Sequence, residues 1–459
     1  MLQIDTGNWS DVNRKKQDSI VDKVVQDITA ANPQLFQGKG ITSDNYEIAY
    51  SIIKMAVYST NEISVLDKDR IIDMLLGQAV GYGPLKPFFM GQIEGPDGMR
   101  DALDITEVMV NPNSYGRPKV FYGYHGRQWY AGDHYFEDHN EVKNFIQKIC
   151  EDSGRGFNEE NPIVDAWLKD GSRLASFGYK VSPAGPALTI RKSPLVRPAM
   201  PLSKLVENLM FPPLAAEIFV ELLVKGHANF GVFGRTDSGK TTVIRALGEA
   251  FDPNERVMIG ETSFELSFPH LPNCINLVEV GFGDRKIITM GDINNTMLRS
   301  NPDRAIAGEI RAGEIVSASE IAEVTSGGFI TTSHAASPME VRSRVPKMFA
   351  RGGMELKREH VDDQIATMFH FLIFCDKPSN GIRTLTEFVE VKPGGVYEPI
   401  ITLDYEEYAA SKGENRRWIY NKAISSERLS RLAFRGASIK PEYEEVTEKY
   451  LYPEKGGAE

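Results

Sequence analysis

One octapeptide constrains the fold of this chain more than any other feature. Gly234-Arg235-Thr236-Asp237-Ser238-Gly239-Lys240-Thr241 follows the apolar stretch NFGVF and opens a helical run whose next residue is Thr242. It matches G-x-x-x-x-G-K-[ST] in full. The strand–loop–helix order is what phosphate binding requires. Glycines let backbone N–H groups curl around phosphate oxygens, and a helix N-terminus adds its positive dipole end. Lys240 is placed to reach the β- and γ-phosphates, and the Thr241 hydroxyl to ligate Mg²⁺. A chance glycine-rich turn is the plain alternative, and the complete match in its strand–helix context outweighs it. The motif alone does not separate a motor from a kinase or a GTPase. A GTPase needs a base-reading N-K-x-D; the chain has none, and Cys375-Asp376-Lys377-Pro378 echoes it only superficially.

Composition narrows the class. The chain has 459 residues, 41% hydrophobic and 25% charged, which fits a soluble globular protein of up to about three domains. Lys+Arg number 52 and Asp+Glu 63, a net charge of −11. General nucleic-acid binding, which neutralises phosphates, is not expected of such a chain, although a local basic channel is compatible with it. Cys150, Cys274 and Cys375 are isolated and odd in number, without metal-ligand or disulfide spacing, as in a reducing cytoplasm. The start, MLQIDTGNWSD, lacks the basic and apolar regions of a signal peptide. Apolar runs such as Phe371 to Cys375 are too short to span a bilayer, so membrane association would go through a partner or a surface contact.

Periodicity divides the chain. Helical spacing over 12–31, 44–58 and 67–80 predicts a helical module over 1–80. An α+β domain is expected over 81–190, with strands at Ile105 to Val110, Val120 to Tyr124, Gln128 to Ala131, 173–181 and 187–191, and helices near 139–152 and 162–168. RKSPLVRPAMPLS reads as a linker, 191–203. Over 204–402, strands near 228–233, 256–260, 275–280, 304–308, 328–332 and 370–375 alternate with helices, the pattern of an α/β core with a mostly parallel sheet. Residues 403–459 read as a charged extension with one capped helix in SSERLSRLAF and a frayed end. His134 and His139 have no evident third ligand and are expected as exposed loop residues. Tyr122, Tyr124, Trp129, Tyr130, Tyr135 and Phe136 could stack on bases, but packing across hairpin strands is the simpler expectation.

A second segment, Leu298 to Arg311, carries an apolar strand (Ala305 to Ala307) ending in Gly308-Glu309. That puts Glu309 at the carboxyl edge of the sheet, where it can position an attacking water or hold the Mg²⁺ shell; an ordinary strand-end acid is the alternative. Here the chain resembles the type II/IV secretion ATPase family, the hexameric ATPases of type IV secretion, type II secretion and pilus assembly. NPDRAIAGEIRAGE is similar to that family's Walker B region, Glu261-Thr262-Ser263-Phe264-Glu265-Leu266 to its acidic "Asp box", and Gly327 to Ala335 to its "His box". Gly81 to Leu85, Asp104 to Asn111, Asp170-Gly171-Ser172-Arg173-Leu174 and Leu188 to Lys192 resemble its N-terminal domain. The pattern looks most like the Tad-pilus and conjugation branch. Four positions depart from it: Thr262 stands where the Asp box has a second acid, and Asn301, Ala336 and Trp167 replace an Arg, an Asn and an Arg.

The resemblance implies a RecA-like P-loop domain behind an α+β N-terminal domain and a small helical module. It implies ATP and Mg²⁺ as ligands, with Glu309, Glu261, Arg173, Arg191 and His334 as catalytic candidates and Thr241 and Glu309 near the metal. For the two arginines the bland alternative is an inter-strand salt bridge; for His334 it is a satisfied strand-end residue. The implied protein is a cytoplasmic homohexamer, peripheral at the inner or plasma membrane. It would act on a membrane platform or secretion channel by domain motion, without sequence-specific nucleic-acid binding. The rival expectations are a RecA-like nucleic-acid motor and an ATP-binding scaffold with little turnover, the latter kept open by Thr262.

Overall fold

A computed structural model describes residues 46–60 and 82–453 apart from 169, 194–198, 283–284, 326, 355 and 379, together with single positions at 23–24, 27–28, 31, 68 and 72. The chain divides into two compact units, Met1–Pro198 and Ala199–Glu459.

In the first unit the helix Tyr46–Ser59 buries Ile53 and Val57. The helices expected over 12–31 and 67–80 lie largely outside the described residues. A hairpin, β1 (Gln92–Gly95) and β2 (Gly98–Asp101), precedes an antiparallel sheet of β3 (Ile105–Asn111), β4 (Lys119–Tyr124), β5 (Arg127–Gly132), β6 (Ile163–Trp167), β7 (Arg173–Phe177) and β8 (Ala187–Arg191). Its order is β5-β4-β3-β8-β7-β6. The helix His139–Asp152, capped by Asp138, packs Val142, Ile146 and Ile149 in the same core as Val108 and Leu174.

Residues 162–168, expected as helix, instead form β6. Val164 and Ala166 point inward while Ile163 and Trp167 are exposed, a period of two that five residues are too few to announce. The hairpin aromatics pack across strands as expected. They also enclose Arg100, whose guanidinium lies 3.9 Å from the Trp129 ring centre and donates to the Tyr122 hydroxyl at 2.8 Å. His139 is partly buried and accepts from the Asn113 N–H at 3.2 Å.

The second unit is built on β9 (Phe230–Gly234), β10 (Val257–Glu261), β11 (Cys274–Val278), β14 (Arg304–Ala307), β15 (Phe329–Ser333) and β16 (Phe371–Asp376), all parallel where they pair. Four antiparallel strands extend it: β17 (Thr384–Lys392), β18 (Val396–Leu403), β19 (Trp418–Tyr420) and β20 (Tyr450–Leu451). The described order is β11-β10-β14-β15-β9-β16-β17-β18-β19-β20. A separate hairpin joins β12 (Val280–Phe282) and β13 (Arg285–Ile288).

Both faces of the parallel part are covered, which is why its strands read as continuous apolar runs. Phe371, Ile373 and Cys375 belong to one core and Leu372 and Phe374 to the other. The P-loop strand β9 sits inside the sheet, with β15 between it and β14, the arrangement of a RecA-like α/β domain. Among the described residues no helix is long and apolar enough to cross a membrane.

The stretch after 403 is more than a charged appendage. Trp418, Tyr420, Leu429, Leu432 and Tyr443 join the core that holds Phe230 and Val232, and the charged Asp404 and Arg416 are buried with them. The helix Ser426–Phe434 forms where expected, capped by Ser425. Trp418 is fully buried and its indole N–H donates to the Leu385 carbonyl at 2.9 Å. Trp418→Ala should therefore lower the stability of this unit by about 3–5 kcal/mol, read from urea unfolding of the full chain. A loss below about 0.5 kcal/mol, the size of a surface change, would mean that 403–453 is not integral to the fold.

Candidate active site

Four parallel strands deliver their functional residues at one edge, since each site residue follows the carboxyl end of its strand. β9 ends in Gly234 and leads into the loop 235–239, and the helix Lys240–Gly248 begins at once. Gly234 cannot be replaced: a Cβ there would stand 2.1 Å from the Cys375 carbonyl oxygen of β16. Gly239 takes φ +93°, the left-handed turn that aims the first helical N–H groups back at the loop.

Lys240 is buried, 9% exposed. Its ammonium donates to the Gly234 and Arg235 carbonyls, both at 3.0 Å, and lies 3.4 Å from His334 Nδ1. Burial pulls its pKa down and the charge of Glu309 opposes that.

His334 follows β15, and its Nε2 lies 2.6 Å from Glu309 Oε1. Its Nδ1 also lies 3.3 Å from the Gly234 carbonyl, so the ring stands between the Lys240 ammonium, a carbonyl of the loop and the Glu309 carboxylate. Burial first, and then the Lys240 charge, hold the His334 pKa below its ordinary value. Glu309 follows β14 and its other oxygen pairs with Arg311. Lys240, His334, Glu309 and Arg311 thus form one connected line.

The two acids of the segment after β10 have separate roles. Glu261 is 5% exposed and accepts from the N–H groups of Glu265 and Leu266, both at 3.1 Å, so it folds the turn. Glu265, held by that turn, accepts from the Thr241 hydroxyl at 3.3 Å. The acid that touches the candidate metal-binding hydroxyl is therefore Glu265, while Glu261 acts on it through the backbone. Thr262 points outward and is exposed. The Thr241 hydroxyl and the Glu265 carboxylate are oxygen donors, the set a hard cation such as Mg²⁺ takes.

In the loop itself Arg235, Thr236 and Asp237 are exposed, Ser238 is buried, and Thr241 and Thr242 are partly buried at the helix start. Asp237 pairs with both Lys377 and Arg383, and Arg383 Nε also donates to the Asp237 carbonyl at 2.8 Å. Burial alone would raise the Asp237 pKa; the two cations overcome it and hold it low. Arg383 carried no sequence signal of its own, and Arg311 closes the segment that holds Glu309 without being assigned a role there.

Arg173 and Arg191 belong to the first unit. They are cross-strand partners on β7 and β8, both exposed, with Trp167 opposite Arg173 on β6 and Glu107 opposite Arg191 on β3. Arg173 pairs with Asp165 at 2.8 Å.

Residues 182–368 match the family described as type II/IV secretion system protein. A putative conjugal transfer protein of Mycobacterium tuberculosis is 28% identical over 270 residues, covering 56% of this chain and 74% of that protein. The type IV secretion system protein VirB11 of Bartonella quintana is 28% identical over 165 residues, 35% of this chain and 45% of that one. Among solved structures, the VirB11 ATPase of the Brucella suis type IV secretion system, in complex with sulphate, is 21% identical with a TM-score of 0.35, covering 67% of this chain and 92% of that chain. The P-loop, Glu309 and His334 all fall inside the segment that is similar to the type II/IV secretion system protein family.

Proposed function

We propose that the chain is a Mg²⁺-dependent ATPase of a secretion, conjugation or pilus-assembly machine, working as a homohexamer through ATP-driven domain motion. The observation that carries the reading is the line Lys240–His334–Glu309 at the end of a complete P-loop. ATP phosphates would enter the loop, and Lys240 would exchange the Gly234 and Arg235 carbonyls for β- and γ-phosphate oxygens. Thr241 and Glu265 are the residues that would hold Mg²⁺, which when bound would neutralise charge on those oxygens. Glu309 orients a water and accepts its proton as that water attacks the γ-phosphorus. The bond to the β–γ bridging oxygen breaks, leaving ADP and phosphate. His334 loses one partner when Lys240 moves and keeps Glu309, so it links phosphate occupancy to the position of that acid.

Arg173 and Arg191 are the arginines that would stabilise charge on the transferred phosphoryl group. Arg173 and Arg191 stand directly opposite on neighbouring strands, and a phosphate would take the place that the Asp165 carboxylate holds on Arg173. The conjugal-transfer and type IV secretion names of the relatives support a membrane-bound platform or channel as partner. Glu265 at Thr241 supports real turnover over a silent scaffold, because it supplies the carboxylate that Thr262 does not.

Steady-state hydrolysis by the purified full chain with Mg²⁺ tests the reading. Lys240→Ala should abolish both ATP binding and turnover; near-normal turnover would end the ATPase assignment. Glu309→Gln should keep ATP affinity and lower kcat by about 10²–10⁴.

The two acids of the turn should differ. Glu265→Gln should raise the Mg²⁺ concentration needed for half-maximal rate. Glu261→Gln should lower the melting temperature as well, because two backbone N–H groups lose a charged acceptor. Equal metal dependence in both variants would contradict the division of roles.

His334 gives a pH signature. Its ordinary pKa is about 6.5, and the folded value lies below that, so the ring takes up its proton only at lower pH. Turnover should hold as pH falls through 6.5 and drop further down, with that acid limb altered in His334→Gln.

A further inference from the structure

We propose that Lys377 and Arg383 form a cationic subsite for the nucleoside end of the nucleotide, set in place by Asp237. The proposal rests on the reading of the P-loop as the triphosphate site and extends it to the other end of the ligand.

The sheet order supplies the direction. β14 and β15, whose carboxyl ends carry Glu309 and His334, lie on one side of β9, and β16 lies on the other. The γ-phosphate goes to the side with Glu309. The α-phosphate and nucleoside therefore leave on the side of β16, where the 377–383 connection to β17 lies. That connection reaches the loop itself. Both of its cations pair with Asp237, and Arg383 Nε also donates to the Asp237 carbonyl at 2.8 Å. The Arg383 Cδ lies 2.9 Å from where a Cβ on Gly239 would stand, and the Met210 Cε lies at the same distance. An arginine and a methionine thus line the loop at the residue before Lys240.

Charge and chemistry supply the ligand class. The two cations share the Asp237 carboxylate at the edge of the loop, while the neighbouring Asp376 carboxylate is turned to the Lys377 backbone N–H at 2.8 Å. Lys377 and Arg383 keep 28% and 25% of their side chains exposed, so their charge is presented to solvent rather than sealed in. An ammonium suits the α-phosphate as a point charge, and a flat guanidinium suits the face of a base. Asp237 keeps both side chains extended toward the loop before the ligand arrives, which reduces the ordering cost on binding.

The test compares ligands with and without a nucleoside. Calorimetry on the full chain would measure ATP, ADP and inorganic tripolyphosphate in the same Mg²⁺ buffer. Arg383→Ala should weaken ATP and ADP about five- to tenfold, the size of a partly desolvated cation–π contact, and leave tripolyphosphate within about twofold. Arg383→Lys keeps the charge toward Asp237 and loses the flat plane. It should show the same selective loss, and it guards against a folding defect in the alanine variant. Lys377→Met, which removes the contact to the α-phosphate, should weaken ATP and tripolyphosphate alike, since both fill that position. An equal loss for all three ligands in the Arg383 variants would overturn the proposal and leave the pair as a brace for the loop, as would no loss for ATP. Failure of the unmodified chain to bind either ATP or tripolyphosphate would instead remove the P-loop reading, and this subsite with it.

Discussion

The buried ammonium of Lys240 is the charge around which the second unit is arranged. Burial disfavours it, and the protein offsets that with two carbonyls of its own loop, one imidazole and the field of Glu309. Each partner arrives from a different place: the carbonyls from the end of β9, the imidazole from the end of β15, the carboxylate from the end of β14. None of these strands could shift by one residue without exchanging the side chains that face the two cores. The register of the parallel sheet and the electrostatics of one lysine are therefore the same constraint seen at two scales.

That constraint also explains why the strand beside the P-loop strand is so polar at its end. β15 reads Phe329-Ile330-Thr331-Thr332-Ser333, buried throughout, yet its last three residues carry hydroxyls. Thr332 Oγ1 donates to the Gly308 carbonyl and Ser333 Oγ to the Ile310 carbonyl, both at 2.6 Å. The segment on either side of Glu309 is thus tied down by the strand that carries His334. A buried hydroxyl with a partner costs little, and one without a partner costs about 1–3 kcal/mol. The two elements that present the acid and the imidazole hold each other in place.

Much of this was legible in the sequence, and the reasons are specific. Strands buried on both faces appear as short apolar runs, so β9, β10, β14, β15 and β16 could be placed to within a few residues. The P-loop was readable because glycine, lysine and threonine each have a separate physical task there. What escaped were features whose signal is split along the chain. β6 was hidden because five residues after a proline carry too little periodicity. β17 and β18 escaped although Thr384–Lys392 and Val396–Leu403 alternate in parts, because each carries acidic residues inside the run. Buried Glu390 is one of these, and it accepts from the Ser425 N–H at 3.0 Å, so a strand interior is anchored to a helix cap 35 residues away. Arg383 shows the same limit: its partner Asp237 lies 146 residues earlier, and nothing local marks either as half of a pair.

The division between Glu261 and Glu265 shows why a motif position and a chemical role are separable. In sequence, the first acid of the segment stands at a strand end, like Glu309, and invites the same assignment. In the fold its carboxylate turns back on the next five residues and is consumed by two N–H groups. A carboxylate bound to backbone donors is stabilised in its charged form, but it has fewer lone pairs left for a metal or a water. The contact with the helix start passes to Glu265, which sits where that turn delivers it, on the Thr241 hydroxyl. A missing acid at 262 therefore removes a charge from an exposed position of the turn and leaves the contact with Thr241 intact. Which carboxylate serves the metal is set by where the turn points its side chains, and the spacing of acids alone does not specify that.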